Sequence, residues 1–246
     1  MMWRWLKYMI LAYTATVVCA SCERRPLTDQ SYNVWIDLEI EDEITNYELE
    51  SLPETMVVSF YDPESGQRVN SNNYYIGSEG GYVNIPPGNY DIVVYNAARE
   101  TTVLDSEYGA HDELMAYTDE VSDFEMSQMS DFLKARAALH ATKAEEDGRL
   151  PEELDYPIVQ TPDHLFVGRF ENHTVPVQTD ESQVHVIPMR AETVVKTYTV
   201  DVRVLQGAEY ISSVDALLSG MVYSNYISHN VLSDKPVTIK FSLAVS

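Results

Sequence analysis

Residues 85–96 read Ile85-Pro86-Pro87-Gly88-Asn89-Tyr90-Asp91-Ile92-Val93-Val94-Tyr95-Asn96, and this stretch decides the fold class. Prolines cannot donate to a ladder, so Pro86-Pro87 ends the strand before them. Gly88 allows a reversed φ. From Tyr90 the period is two: Tyr90, Ile92 and Val94 fall on one face, Asp91, Val93 and Tyr95 on the other. That alternation predicts a strand, with the Tyr90 ring available to cover the open end of a hairpin.

The same period recurs on both sides. Val34, Ile36, Leu38 and Ile40 alternate with Trp35, Asp37 and Glu39, which predicts a strand over 31–41. Thr55–Tyr61 reads as a second strand, closed by Asp62-Pro63-Glu64-Ser65-Gly66, where Pro63 presets φ and Gly66 takes a positive one. Short strands are expected at 80–85 and 101–104. Thr193–Leu205 (TVVKTYTVDVRVL) alternates over its whole length and reads as the clearest strand of the chain. Residues 211–223 read as a strand or a helix–strand mixture, and 236–245 alternates Val237, Ile239, Phe241 and Leu243.

Many short period-two segments between turn signals, with no βαβ rhythm, predict a mostly β chain of tandem antiparallel sandwiches. An acidic stretch at 105–160 interrupts them. Within it Met126, Met129, Leu133, Ala137 and His140 recur at helical spacing, which predicts an amphipathic helix over 124–144 lying on the sandwich, with a partner-binding helix as the alternative. A domain boundary is expected near 189–192, giving a first domain at 31–190 and a second at 191–246. The second is short of the roughly 100 residues a sandwich needs. It either adds strands to the first domain or is cut short; truncation is the expectation, leaving an open strand edge and a bare apolar face.

The chain has 246 residues, with 16 Lys+Arg against 39 Asp+Glu and a net charge of −23. So few bases leave no basic face for a phosphate backbone, and no nucleic-acid partner is expected. Two cysteines exclude a disulfide-dense or Cys-rich zinc module.

The N-terminus gives an address. Arg4 and Lys7 precede an apolar run from Tyr8 to Val18. The run is too short to cross a bilayer, which takes ~20 residues, and suits a signal-peptide core. Ala20-Ser21 before Cys22 resembles a bacterial lipobox, with Cys19 departing from the usual Leu. Residues 1–21 are expected to be removed and Cys22 to carry the lipid; ordinary secretion is the alternative. Residues 22–30 then form a polar tether. An acidic body does not cling to anionic lipid by charge, so the acyl chains must hold it to the membrane.

Catalytic signatures are absent from the sequence. The six His show neither H-x-x-x-H nor H-E-x-x-H spacing, and no G-x-S-x-G, P-loop or dinucleotide fingerprint occurs. No enzyme activity, metal or cofactor is expected. Seventeen Tyr make a carbohydrate-stacking surface conceivable, with Tyr74, Tyr75 and Tyr82 as candidates; Tyr is also simply a good strand residue with one wet end.

Cys22 with its polar tether, the opening strand VWIDLEI at 34–40, MVVSFYDPESG at 56–66 and the Ile85–Tyr90 stretch together resemble the fimbrillin-like lipoproteins of Bacteroidota. Pro86-Pro87-Gly88 with Tyr90 resembles the turn that opens a strand in transthyretin-like sandwiches of fimbrial subunits and their anchors. Residues 161–168 (TPDHLFVG), 198–204 (YTVDVRV) and 218–221 (LSGM) look closest to a family of uncharacterised lipoproteins of that group. The resemblance implies tandem transthyretin-like domains, outer-membrane attachment and a role as anchor or minor subunit of a surface fibre. It implies other fimbrial or envelope proteins as partners, joined by strand donation. A glycan-binding surface lipoprotein is the alternative. The face of the membrane is left open: Arg24-Arg25 follow Glu23, where the group's export signal tends to be acidic.

Overall fold

The computed structural model describes residues 33–41, 52–122, 156–180, 183–198, 200–211 and 214–243. In chain order the strands are β1 (Val34–Ile40), β2 (Thr55–Tyr61), β3 (Tyr74–Gly77), β4 (Gly80–Val83), β5 (Gly88–Asn96), β6 (Thr102–Asp105) and β7 (Met115–Thr118). They continue with β8 (Ile158–Val159), β9 (Phe166–Val175), β10 (His185–Thr193), β11 (Val214–Val222), β12 (Ser224–Tyr226), β13 (Val231–Leu232) and β14 (Pro236–Leu243). The protein is mostly β.

Where the sequence predicts two facing sheets, the ladders join seven strands into one closed ring, in the order β1-β10-β9-β5-β2-β3-β4. Most pairs are antiparallel, but β1 runs parallel to β10, from Val34↔His185 to Ile40↔Ala191. Two smaller sheets accompany the ring: β11-β14-β8, with β14 and β8 parallel, and β13-β12-β7-β6. β7 and β8 fall inside the acidic stretch at 105–160 that the alternating pattern does not reach. The helix expected over 124–144 lies outside the described residues. β10 runs unbroken across 189–192, where the sequence suggests a boundary, and Ala191 is fully buried in the ring.

Two cores follow from this arrangement. Inside the ring, Met56, Val58 and Phe60 of β2 meet Ile92 and Val94 of β5, Val34, Ile36 and Leu38 of β1, and Ile187 and Met189 of β10. The opposite face of β2 and β5 is also covered: Val57, Tyr61, Val93 and Tyr95 are buried with Leu114, Ala116, Leu165, Val167 and Ile227. Burying a large apolar side chain is worth about 1.5–3 kcal/mol, so the second core is a substantial part of the fold. It explains why β2 and the latter half of β5 are buried continuously rather than alternately.

Two local expectations are corrected. Gly88 has no positive φ; it opens β5 as ordinary extended backbone. Its lack of a side chain serves a close approach instead, since a Cβ there would lie 3.0 Å from the Tyr90 hydroxyl. The strand expected over 193–205 ends at Thr193, the last residue paired with β9 (Thr193↔Phe166). There the Thr193 hydroxyl bonds the backbone of Val195, which turns the chain away from the ladder. Val200, Val202, Val204 and Leu205 are exposed.

Gly66 does take the positive φ expected of its turn, at +66°. Asp62 closes that turn by accepting hydrogen bonds from the N–H groups of Glu64 and Ser65 and from the Ser65 hydroxyl. At the ring's start, Asn33 clamps Ile85. Its amide donates to the Ile85 carbonyl, and its Oδ1 accepts from the Ile85 N–H at 3.0 Å.

Candidate functional site

The sheet β11-β14-β8 is covered incompletely. Ala216, Leu217, Leu218 and Met221 of β11 and Ile239 and Phe241 of β14 are only half-buried. Among the described residues β11 is an outer strand of this sheet. It pairs with β14 from Val214↔Leu243 to Val222↔Pro236, with a bulge at Gly220, whose φ of +81° suits glycine. A largely apolar cleft of about 530 Å³ opens beside these strands, with Leu218, Met221, Ile239 and Phe241 on its wall.

Two further elements border the cleft. Tyr117 of β7 and Tyr223 stack at 5.6 Å and 28°, and the Lys235 ammonium lies 4.3 Å from the Tyr223 ring centroid. Burial, then the neighbouring Tyr117 and the carboxylates of Glu120, Asp119 and Asp105, hold the Tyr223 phenol above its usual range, so it stays neutral. Val194, Val195, Tyr198 and Val200, from the segment that follows β10, complete the rim. That segment has the composition of a strand and no strand structure among its described residues. An outer strand, a half-covered apolar face and an adjacent strand-like segment can do one thing chemically: accept or offer backbone hydrogen bonds while burying alternate side chains.

The residues singled out from the sequence lie elsewhere. Cys22 is outside the described residues. Tyr90 is buried inside the ring, edge-on to Phe60 at 5.7 Å, and its hydroxyl donates to the Pro86 carbonyl at 2.8 Å. The Pro86-Pro87-Gly88 turn and Tyr90 thus brace one end of the ring. Tyr74 is half-buried, edge-on to Phe60 at 6.0 Å, with its hydroxyl donating to the Asn84 carbonyl. Tyr75 and Tyr82 are 63% and 53% exposed, and Tyr82 meets Trp35 edge-on at 4.6 Å. The three tyrosines therefore do not form one face: one turns inward and two outward. The alternating pattern reached the strands that carry Leu218, Met221, Ile239 and Phe241, but not Tyr117, because β7 is four residues long, too short for a period to register.

A family model described as a domain of unknown function, DUF5119, matches residues 21–242. The chain belongs to the DUF5119 family. A relative of this DUF5119 chain in Bacteroides ovatus is named "Putative fimbrium anchoring subunit Fim4B". It is 23% identical over 232 residues, covering 93% of this chain and 58% of the relative. A crystal structure described as a putative adhesin from Bacteroides ovatus superposes with a TM-score of 0.53 at 23% identity, covering 88% of this chain and 64% of that one. A structure from Bacteroides thetaiotaomicron, described as putative polysaccharide binding proteins, reaches a TM-score of 0.44 at 10% identity, over 83% and 63% of the two chains. The DUF5119 chain thus spans about three fifths of the length of these proteins. The resemblance to the fimbrillin-like group is borne out, and the β fold is shared with the Bacteroides ovatus adhesin structure.

Proposed function

We propose that this DUF5119 protein is a non-enzymatic, lipid-anchored protein of the cell envelope, a fimbrial anchor or minor subunit that works by edge-strand contact with another polypeptide. The observation that carries the reading is β11: an outer strand whose apolar side chains stand half-covered over a 530 Å³ cleft. A partner strand laid along β11 extends its ladder and drops alternate side chains into the cleft, completing the β11-β14-β8 sheet. The printed name of the Bacteroides ovatus relative, a fimbrium anchoring subunit, supports a fibre as the setting. Lipid on Cys22 supplies the tether, and the chain's acidity holds the body off an anionic bilayer.

Magnitudes favour a strand over a loose apolar contact. Two or three side chains entering the cleft gain about 1.5–3 kcal/mol each. Association costs roughly 4–15 kcal/mol before any surplus appears. Side chains alone therefore leave little, and a ladder at about 1 kcal/mol per hydrogen bond is needed for a lasting joint.

A photoreactive residue placed at Leu218, with Tyr82 as the comparison position, tests this in intact cells. The reading expects an adduct with a discrete polypeptide from Leu218 and none from Tyr82. A polysaccharide adduct from Tyr82 with none from Leu218 overturns it in favour of glycan binding.

A further inference from the structure

The turn of 3-10 helix at His111–Glu113 and the turn between β12 and β13 bring His229 against the adjacent pair His111 and Asp112, with 117 positions of sequence between Asp112 and His229. The Asp112 carboxylate oxygen Oδ1 lies 3.3 Å from His111 Nδ1 and 2.8 Å from His229 Nε2. The three donor atoms all lie within 4.8 Å of one another. We propose that His111, Asp112 and His229 bind a borderline divalent transition-metal ion, Zn²⁺ foremost.

The distances suit such an ion. Zinc bonds imidazole nitrogen at about 2.0–2.1 Å and carboxylate oxygen at about 2.0–2.2 Å, which sets tetrahedral ligand atoms roughly 3.3 Å apart. The His111 separation of 3.3 Å already has that value, and the 2.8 Å His229 contact opens by about 0.5 Å as its hydrogen bond gives way to the ion. The two nitrogens, within 4.8 Å of one another, must draw closer, and the exposed His229 is the side chain with room to move. Two imidazoles with one carboxylate select zinc-like ions over calcium or magnesium, which prefer oxygen donors. Three protein donors leave a fourth position for water.

The surroundings hold two donors in place and leave the approach open. His111 is 5% exposed; its N–H donates to the Gly66 carbonyl at 2.8 Å and its ring lies edge-on to Tyr61 at 5.0 Å. The turn bearing His229 is tied to the same place, because the Ile227 N–H donates to the Leu114 carbonyl at 3.0 Å. Asn230 closes that turn in a left-handed conformation, φ +54°, with its Oδ1 accepting from the Asn225 amide at 3.0 Å. Asp112 and His229 are exposed, so an ion reaches the site from solvent. A net charge of −23 raises the local concentration of cations.

The ion clips the β12–β13 turn onto the turn packed over Tyr61, and so fastens the outer core to the ring. Its binding stabilises the folded state in proportion to ligand concentration.

Titration calorimetry and thermal melting of the full chain, without a histidine tag, with ZnCl₂ at pH 7.5 and MgCl₂ as comparison, test the proposal. The expected result is saturable one-to-one Zn²⁺ binding with a raised melting temperature that Mg²⁺ does not reproduce. His229→Gln and Asp112→Asn, each removing a donor at an exposed position, should weaken binding by more than the roughly 10–100-fold that loss of an outer-shell partner costs. Their metal-free melting temperatures should stay close to that of the parent; should one fold poorly, the other decides. Absence of saturable Zn²⁺ binding, or binding unchanged in the folded variants, overturns it.

Discussion

Asp163 and Thr102 hold one another reciprocally: the Asp163 carboxylate accepts from the Thr102 N–H at 2.8 Å, and the Thr102 hydroxyl accepts from the Asp163 N–H at 3.0 Å. The same carboxylate oxygen also accepts from the N–H groups of Glu100 and Thr101, at 2.8 and 2.7 Å. One side chain thus satisfies the backbone at the start of β6 and fixes the smaller sheets to the strand that leads into the ring. Burial pushes the Asp163 carboxyl up, and the three backbone donors outweigh it, so its pKa ends below the usual range.

Asp163→Ala should cost about 2–4 kcal/mol, because three donors lose a charged acceptor. The sign of the pH effect follows from the lowered pKa. The stabilisation is present above the ordinary carboxylate pKa of about 3.9 and is lost as pH falls through the lower, folded value. Urea unfolding of parent and variant at pH 7 and pH 3 checks this; the gap between them should narrow in acid.

Glycine is required at Gly80 and merely favoured at Gly66. A Cβ on Gly80 would stand 1.9 Å from the Ile36 carbonyl oxygen, with φ at +116°. One on Gly66 meets open space. Gly80→Ala should therefore cost more than about 3 kcal/mol or prevent folding, and Gly66→Ala about 1 kcal/mol. Denaturation midpoints of the two variants side by side give the comparison.

The ring's seam carries a second pH effect. β9 and β10 pair only over Gly168–Phe166 and Ala191–Thr193, and beyond that ladder His173 Nε2 lies 2.9 Å from His185 Nε2. Burial, and then His185, lower the His173 pKa. A histidine whose folded pKa is lowered protonates first in the unfolded chain. Stability is therefore full above about pH 6.5 and declines as pH drops below it, until the folded value is reached. His185→Asn should reduce that decline, as read from urea midpoints at pH 7.5 and 5.5.

Much of the ring was legible because local pattern and tertiary role agree there. β1 alternates, with Val34, Ile36 and Leu38 inward, and Tyr90, Ile92 and Val94 point into the ring as their spacing predicts. The pattern assigned Val93 and Tyr95 to an outer face, and only the structure shows that Leu114, Ala116 and Ile227 cover it. In the segment 193–205 the alternation runs on past Thr193, the last residue paired with β9. Alternation records fitness for a sheet, and whether a neighbour exists to pair with is decided elsewhere in the chain. The β11 edge was not legible: residues 211–223 read as a strand or a helix–strand mixture, with nothing in the pattern to mark them as outermost. The His111–Asp112–His229 cluster left no trace in sequence, because a chain reversal between β12 and β13 creates it.

Backbone hydrogen exchange at β11, in the isolated protein and in the assembled envelope fraction, tests the central claim most directly. Amides of 214–222 that do not point toward β14 should exchange rapidly in the isolated protein and gain at least about tenfold protection in the assembly, while those of β3 and β4 stay unchanged. Equal exchange at β11 in the two states would contradict the account.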